Sequence, residues 1–260
     1  MLRHFIPRND GRVFAFTLAE VLITLVIIGV VAALTIPNLM QKYQEQATVK
    51  KVQKVYSNIS NAYAMAIKDN GLADEWDWGG LASPEGAQNA LSKISPYLNK
   101  IKLCTNRNNP ESGTFCPEYV VFKSLDGSQA PAANYNSSGF FAKAMLPDGV
   151  MLMLTTVSKD CKFYYGTGQL ASTCGALFVD INGAKKPNQY GVDIFMFFLT
   201  KDSVIPRGTK NAAYSFETGC NKGITDHNNG SECAAWVVYK GNMDYLHCND
   251  LSWTGKDKCK

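Results

Sequence analysis

The feature that most constrains this chain is an apolar run near its N-terminus. Residues 16–36 read FTLAEVLITLVIIGVVAALTI, 21 positions with one charged side chain, Glu20. An α-helix of that length, rising about 1.5 Å per residue, spans the roughly 30 Å hydrocarbon core of a bilayer. A secretory signal has an apolar stretch of only about 7–15 residues before its cleavage site, whereas this run continues into further helical sequence. The sequence therefore predicts a membrane-spanning helix that the mature protein keeps.

The cysteines indicate which side of the membrane the rest of the chain occupies. All eight follow the apolar run, and they lack the C-x-x-C spacing of common zinc sites. An even number of cysteines on one side of the run is typical of disulfides in an oxidising compartment. We therefore expect the C-terminal part outside the cytoplasm and the short arginine-bearing leader inside. Pairing between sequence neighbours would close short loops: Cys104 with Cys116, Cys161 with Cys174, Cys220 with Cys233, and Cys248 with Cys259. Many other pairings are open to eight cysteines.

Charge and motif content argue against two classes of function and leave a membrane-tethered enzyme only as a residual alternative. The formal net charge is +4 and no basic block is present, so no nucleic-acid binding is predicted. The sequence also lacks a G-x-S-x-G elbow, an H-E-x-x-H helix, a phosphate-binding Walker loop and a dinucleotide fingerprint. We therefore expect neither enzymatic activity nor a catalytic residue.

The start of the apolar run carries a family resemblance. Residues 15–20 read AFTLAE, follow a short basic leader and lead into the apolar segment, which contains Gly29 and ends at Pro37. This combination resembles the processing and assembly segment of type IV prepilins and type II secretion pseudopilins. The resemblance extends over roughly residues 12–60.

The resemblance implies a maturation route and an assembly role. In that family a prepilin peptidase cuts before the phenylalanine, here between Ala15 and Phe16, and the new amino terminus is methylated. Glu20 would then neutralise the terminal amine of a neighbouring subunit, an attraction that is strong in a low-dielectric core. Ala15 departs from the usual glycine, and Ala19 from the usual bulky aliphatic residue.

The function implied by the resemblance is structural. We expect a structural subunit of the minor, specialised kind, belonging to a type IV pilus or a type II secretion-like pseudopilus. The alternative is a membrane-tethered or tip-located adhesin, for which a long connecting region at 72–117 and disulfide loops are suitable. The expected partners are other subunits, a prepilin peptidase and membrane lipid. The expected location is the cytoplasmic membrane, single pass with the N-terminus inside, and then a surface or periplasmic filament.

Hydrophobic periodicity predicts the remaining architecture. Apolar residues recur at three- and four-residue spacing from 52 to 67, so the helix should continue in amphipathic form and stop near 69–71. A second helix is expected near 86–98. Strands are predicted at 118–123, 150–157, 175–181, 193–199 and 234–239. These elements indicate an α+β fold, in which a long N-terminal helix with a transmembrane half and an amphipathic half packs on a disulfide-stapled antiparallel sheet.

The predicted organisation has four segments. Residues 1–15 form a prepilin leader, 16–37 the transmembrane and assembly helix, 38–71 its amphipathic continuation, and 72–260 the extracytoplasmic globular domain. Within the last segment, residues 234–246 resemble the final strand and turn of pilin-like subunits. Trp236 is expected to be buried there, because a tryptophan in an apolar strand normally lies in the core.

One loop gathers oxygen-bearing side chains. The segment 180–193 reads DINGAKKPNQYGVD and contains the calcium-ligand candidates Asp180, Asn182, Asn188 and Asp193. Calcium prefers several such oxygens on a flexible loop, although the EF-hand spacing and its terminal glutamate are missing here. Asn182-Gly183 is by itself a strong turn signal. A plain turn and a calcium site therefore both remain open, and no other cofactor is expected.

Overall fold

The computed structural model describes residues 17–104, 121–130, 140–183 and 185–259. Four α-helices and six strands lie in these residues: α1 (Leu18–Asn70), α2 (Pro84–Ile94), β1 (Lys102–Cys104), β2 (Ala142–Met145), β3 (Met151–Thr156), β4 (Thr173–Asp180), β5 (Ile194–Thr200), β6 (Val204–Pro206), α3 (Phe216–Gly219) and α4 (Ala234–Lys240). Short 3₁₀ turns occupy Ala73–Glu75, Ser95–Tyr97, Gly168–Ser172 and Asp244–Leu246.

Helix α1 runs for 53 residues and includes Pro37 in its interior. Its end at Asn70 confirms the predicted stop. The next residue, Gly71, has a φ of +79°, the left-handed conformation that glycine adopts easily and that ends many helices. The chain divides into two compact units, and the division falls inside this helix, between Gln44 and Glu45.

The second unit is built around one antiparallel sheet. Its six strands lie in chain order from β1 to β6, and each pairs with its sequence neighbours. In one cross-strand row Met153 lies opposite Phe178, which lies opposite Met196. The predicted α+β class with an antiparallel sheet is confirmed.

The packed part of α1 covers one face of the sheet. Its buried residues begin at Val49 and recur at helical spacing up to Ala66. The ring of Tyr56 stacks on Phe197 of β5 with 5.7 Å between centroids, and the Tyr63 hydroxyl donates to the Thr200 carbonyl at 2.6 Å. The amphipathic stripe of the sequence is therefore the stripe that the sheet buries.

A second apolar layer covers the opposite face of the sheet. It contains Met153, Phe178 and Met196 from the strands, packed against Phe122 and Tyr190 from the loops. Successive residues of a strand point to opposite faces, so a sheet covered on both sides must be apolar at nearly every position. This explains why β5, IFMFFLT, is buried throughout instead of alternating.

Three of the five predicted strands are confirmed with shifts of one or two residues: 150–157, 175–181 and 193–199 correspond to β3, β4 and β5. The strand at 234–239 is wrong, because these residues form α4. Of the strand at 118–123, only 121–123 lies in the described residues, and there Lys123 makes isolated bridges but no strand. Strands β1, β2 and β6 were not predicted.

Residues 234–239 form a helix although their sequence pattern also suits a strand. A short apolar run fits either element by periodicity alone. Here Gly241 follows in the left-handed conformation, φ +69°, and ends the helix. Trp236 stacks on Phe216 at 4.0 Å and is fully buried, so its predicted burial is confirmed although its predicted strand is not. The resemblance of this segment to a final pilin strand does not hold.

Candidate functional site

The first turn of α1 contains a reciprocal capping arrangement. The Thr17 backbone N–H and its hydroxyl each donate to Glu20 Oε2 at 2.8 Å. The Glu20 backbone N–H donates to Thr17 Oγ1 at 3.2 Å. This is a capping box, in which a threonine and the glutamate three residues later satisfy each other's backbone donors. The sequence analysis missed it, although the Thr17-Leu18-Ala19-Glu20 pattern is its usual signature.

The apolar run following this cap is uncovered. None of the most apolar window of α1 is buried, and the helix is long and apolar enough to cross a membrane. Gly29 is open, since a Cβ added there would meet no atom within 4 Å. The predicted cleavage residues Ala15 and Phe16 lie outside the described residues. The exposed large apolar side chains of the run are Leu18, Val21, Leu22, Ile23, Leu25, Val26, Ile27, Ile28, Val30, Val31, Leu34, Ile36, Leu39 and Met40.

Disulfides staple the globular unit. The structure joins Cys161 to Cys174, Cys220 to Cys233, and Cys248 to Cys259, which is the neighbour pairing expected from the sequence. Cys104 is also disulfide-bonded, and its expected partner Cys116 lies outside the described residues.

The loop between β4 and β5 holds a buried polar centre. Asp193, 3% exposed, organises it by accepting from the Asn188 N–H at 2.8 Å and the Gln189 N–H at 2.6 Å. The Asn182 side-chain amide adds a third donor to the same carboxylate at 3.0 Å. The Asn182 N–H in turn donates to Asp180 at 3.1 Å. The structure therefore brings the predicted loop residues together, and Asp193 uses its oxygens to shape the loop.

Other oxygens of this centre are buried without a donor. Asp180 Oδ2 and Asn182 Oδ1 have no hydrogen-bond partner. The Asn188 side-chain amide lies 3.2 Å from the Gly183 carbonyl and 3.1 Å from the Lys185 carbonyl. The hydrogen-bond pattern favours the orientation with the nitrogen turned toward them, in which the amide donates to both carbonyls. With its oxygen turned toward them, three oxygens face one another, an arrangement that a cation would stabilise.

Burial and charge perturb the two carboxyls. Burial, together with the nearby Asp193 charge, raises the pKa of Asp180 to about 8. Burial also raises the pKa of Asp193, while the backbone N–H groups of Gln189 and Asn188 oppose the shift. Burial disfavours the charged form of both carboxyls, and a cation bound beside Asp180 would favour its ionised form at neutral pH.

These residues fit a hard cation better than a transition metal. Within the described part of the chain, no three His, Cys, Asp or Glu side chains gather closely enough to hold a metal. The available groups are one orphaned carboxylate oxygen, amide oxygens and backbone carbonyls, which are the ligands that calcium accepts. Gly183 does adopt a turn conformation, φ +69°, but the loop extends from the end of β4 at Asp180 to Ile194 and is not a two-residue hairpin.

Comparisons with known proteins gave one match. A comparison with curated proteins and a comparison with solved structures each found no match. A model of a family of unknown function, DUF6613, matches residues 38–225. The match begins directly after Pro37 and includes the whole sheet and the β4–β5 loop. Because it covers well over half of the 260 residues, the chain belongs to this family, DUF6613, whose function is unknown.

Proposed function

We propose that this chain is a structural subunit, of the minor kind, of a type IV pilus or a type II secretion-like pseudopilus. It enters the cytoplasmic membrane with its N-terminus inside and its globular unit outside, and then packs into a surface or periplasmic filament. The observation that carries the proposal is the uncovered apolar surface on the first half of α1. Apolar area is unfavourable in water by about 25 cal/mol per Å², so this surface requires lipid or other apolar helices.

Glu20 has two separable roles in this proposal. Its carboxylate caps the helix through Thr17, and its negative charge would pair with the amino terminus of a neighbouring subunit. A glutamine at N3 serves a capping box as glutamate does, but it carries no charge. Glu20→Gln therefore removes the charge and keeps the cap, whereas Thr17→Ala removes the cap and keeps the charge.

The test compares Glu20→Gln, Glu20→Ala and Thr17→Ala in the native cell. Immunoblots measure membrane abundance, and sheared filaments or crosslinked subunit ladders measure assembly. We expect both Glu20 variants to reach wild-type membrane levels, since a neutral residue costs less in lipid than a carboxylate, and to assemble poorly. Thr17→Ala should assemble.

Two other combinations of assembly results would change the interpretation. Loss of assembly in Glu20→Ala and Thr17→Ala but not in Glu20→Gln would assign Glu20 to capping alone. Normal assembly of all three at wild-type abundance would refute the charge pairing. It would favour the second candidate, a tethered or tip-located adhesin, which the exposed polar residues of the disulfide-closed loop 220–233 also suit.

Processing gives an independent test of the same proposal. Mass spectrometry of protein extracted from its own membrane should find a chain that begins at Phe16 with a methylated amine. Ala15→Gly should be processed at least as well as the wild type, and Ala15→Leu poorly, because a bulky side chain replaces a methyl group. An intact Met1 on the wild-type protein would contradict this assignment.

We also propose that the β4–β5 loop binds calcium weakly. Asp180 Oδ2 and the Asn182 amide oxygen, which have no hydrogen-bond partner, would hold the ion and let it neutralise the buried carboxyl charge. The Asn188 amide oxygen and the Gly183 and Lys185 carbonyls would join them when the Asn188 oxygen faces the ion. With a single orphaned carboxylate the affinity should fall in the weak extracellular range, on the order of 10⁻⁴–10⁻³ M. Because binding requires ionised Asp180, it should release a proton below the pKa of about 8.

Isothermal titration calorimetry with calcium, or terbium luminescence sensitised by nearby Tyr190, tests this site. Asp180→Asn should abolish binding. Asn188→Asp should tighten binding if the Asn188 oxygen faces the ion, because a second carboxylate is added. If Asn188 instead donates to the two carbonyls, Asn188→Asp should weaken the fold without tightening calcium, and the plain-turn reading would stand.

A further inference from the structure

The segment 121–130 is clamped onto the β4–β5 loop by backbone and side-chain hydrogen bonds. The Lys123 N–H donates to the Asn188 carbonyl at 2.9 Å, and the Tyr190 N–H donates to the Lys123 carbonyl at 2.9 Å. The Gln189 side-chain amide donates to the carbonyls of Ser124 at 2.9 Å and Leu125 at 3.1 Å. Gln189 therefore holds two consecutive peptide groups of a segment that lies some 65 residues earlier in the chain.

The other end of this segment is joined to the disulfide loop 220–233. The Leu125 N–H donates to the Asn229 carbonyl at 2.7 Å. Asn229 is 1% exposed and forms the interior of that loop. Its side-chain amide donates to the carbonyls of Asn221 at 2.7 Å and Ile224 at 2.8 Å, and its Oδ1 accepts from the Asn221 N–H at 3.2 Å. Residues 225–228 are exposed around it.

The position of Gln189 depends in turn on the polar centre. Its backbone N–H donates to Asp193 Oδ1 at 2.6 Å, and its carbonyl accepts from the Val192 N–H at 3.1 Å. A continuous relay therefore runs from Asp193 through Gln189 and Leu125 to Asn229. Buried peptide groups cost free energy when they lose their partners, so a displacement at one end of the relay is transmitted to the next pair.

We propose that this relay couples the β4–β5 loop to the Cys220–Cys233 loop, so that calcium at the polar centre orders residues 225–228. The proposal rests on the calcium site proposed above. Without the ion, the buried carboxyls and orphaned oxygens favour opening of the β4–β5 loop, and the relay carries that opening to the disulfide loop. With the ion, both loops close together.

Hydrogen exchange on the full-length chain in detergent tests the coupling, with the amides of Leu125 and Asn221 as reporters at the two joints. In the wild type, calcium should slow exchange in peptides that cover 121–130 and 220–233 by about tenfold, the effect of a hydrogen bond or two. Gln189→Leu should abolish the slowing at 220–233 while calorimetry still detects calcium binding.

Gln169→Leu is the matched control. The Gln169 amide donates to Asp202 at 3.2 Å on the exposed surface and takes no part in the relay, so the same substitution should leave the coupling unchanged. If calcium binds and exchange at 220–233 does not change, the coupling is overturned. If calcium does not bind, the calcium site is refuted.

The hydrogen-bond relay is then tested by hydrogen exchange in calcium-free buffer. Faster exchange at 220–233 in Gln189→Leu than in Gln169→Leu would support the relay, and equal exchange in the two variants would overturn it.

Discussion

The two halves of α1 have the same secondary structure and opposite surroundings. Up to Gln44 the large apolar side chains are exposed, from 42% for Val21 to 78% for Leu18. In the packed half, Val52, Val55 and Ile59 are at most 2% exposed. Both halves belong to one continuous α-helix, in which Pro37 removes a single backbone donor, so the main difference lies in what their side chains contact.

The comparison shows how the sequence pattern specifies the environment. Residues 21–36 of the first half carry no charged side chain and are apolar on nearly all sides, which suits an environment of lipid or neighbouring helices. The second half carries one apolar stripe with lysines on the other side, which suits a single packed face. One helix therefore contains both a segment that packs in the globular unit and a segment whose apolar side chains stay exposed.

The largest expected effect comes from the same substitution made in each half. Ile59→Ala should lower the free energy of unfolding of the globular unit by about 3–4 kcal/mol, because it removes buried methyl groups and leaves a cavity. Ile27→Ala, at a residue that is 57% exposed, should change it by less than about 0.5 kcal/mol. Denaturant titrations of the full chain in detergent, followed by tryptophan fluorescence, measure both.

A comparable loss from Ile27→Ala would break the comparison, because it would mean that the first half of α1 packs against the globular unit. A negligible loss from Ile59→Ala would mean that the packed half contributes little to the core. Both outcomes are read from the midpoints of the unfolding titrations, so neither requires a measurement of filament assembly.

A second pair of variants exchanges a carboxylate for an amide in each unit. The folded state keeps a proton on Asp180 up to about pH 8, whereas the unfolded chain releases it above about pH 4. In calcium-free buffer the contribution of Asp180 to the free energy of unfolding should therefore be largest below about pH 4 and decrease as the pH rises toward about 8. Asp180→Asn should remove this fall and gain on the order of 2–3 kcal/mol at neutral pH. Glu20→Gln should leave the pH profile of the globular unit unchanged.

The profile is read from urea midpoints between pH 5 and 8.5 in the presence of a chelator. A wild-type profile that is flat over this range would show that Asp180 is ionised in the calcium-free fold. A profile that Asp180→Asn does not change would assign the slope to another group, of which Asp193 is the neighbour with a raised pKa.

The smallest expected effect concerns two tyrosines. Tyr63→Phe removes the hydroxyl that donates to Thr200 at 2.6 Å in a fully buried position, so it should cost about 1–2 kcal/mol. Tyr43→Phe, at a residue that is 67% exposed in the first half, should have almost no effect. Equal effects on the unfolding midpoint would contradict the assignment of Tyr63 as the hydrogen-bonded contact between helix and sheet.

The strongest local signals predicted their elements correctly. Strands β3, β4 and β5 are long, apolar and rich in β-branched or aromatic residues, and each was predicted within two residues. The strands that the sequence did not reveal are short or atypical. β2 reads AKAM, which has low strand propensity, and β6 contains Pro206, which is tolerated because β6 is an edge strand. Pairing with neighbours determines these elements, and single-sequence propensity does not contain that information.

By itself, the sequence determined the spanning length of the first helix, the amphipathic stripe that follows, the helix stop at Gly71 and the gathering of oxygen-bearing residues at 180–193. These are local properties, because they depend on composition and spacing within one segment. Only the tertiary structure decided that 234–239 is a helix and that Asp193 organises its loop while Asp180 keeps an unpaired oxygen. It alone decided that Gln189 reaches Leu125. Those outcomes depend on burial and on hydrogen-bond partners far away in the chain, and no single segment specifies them.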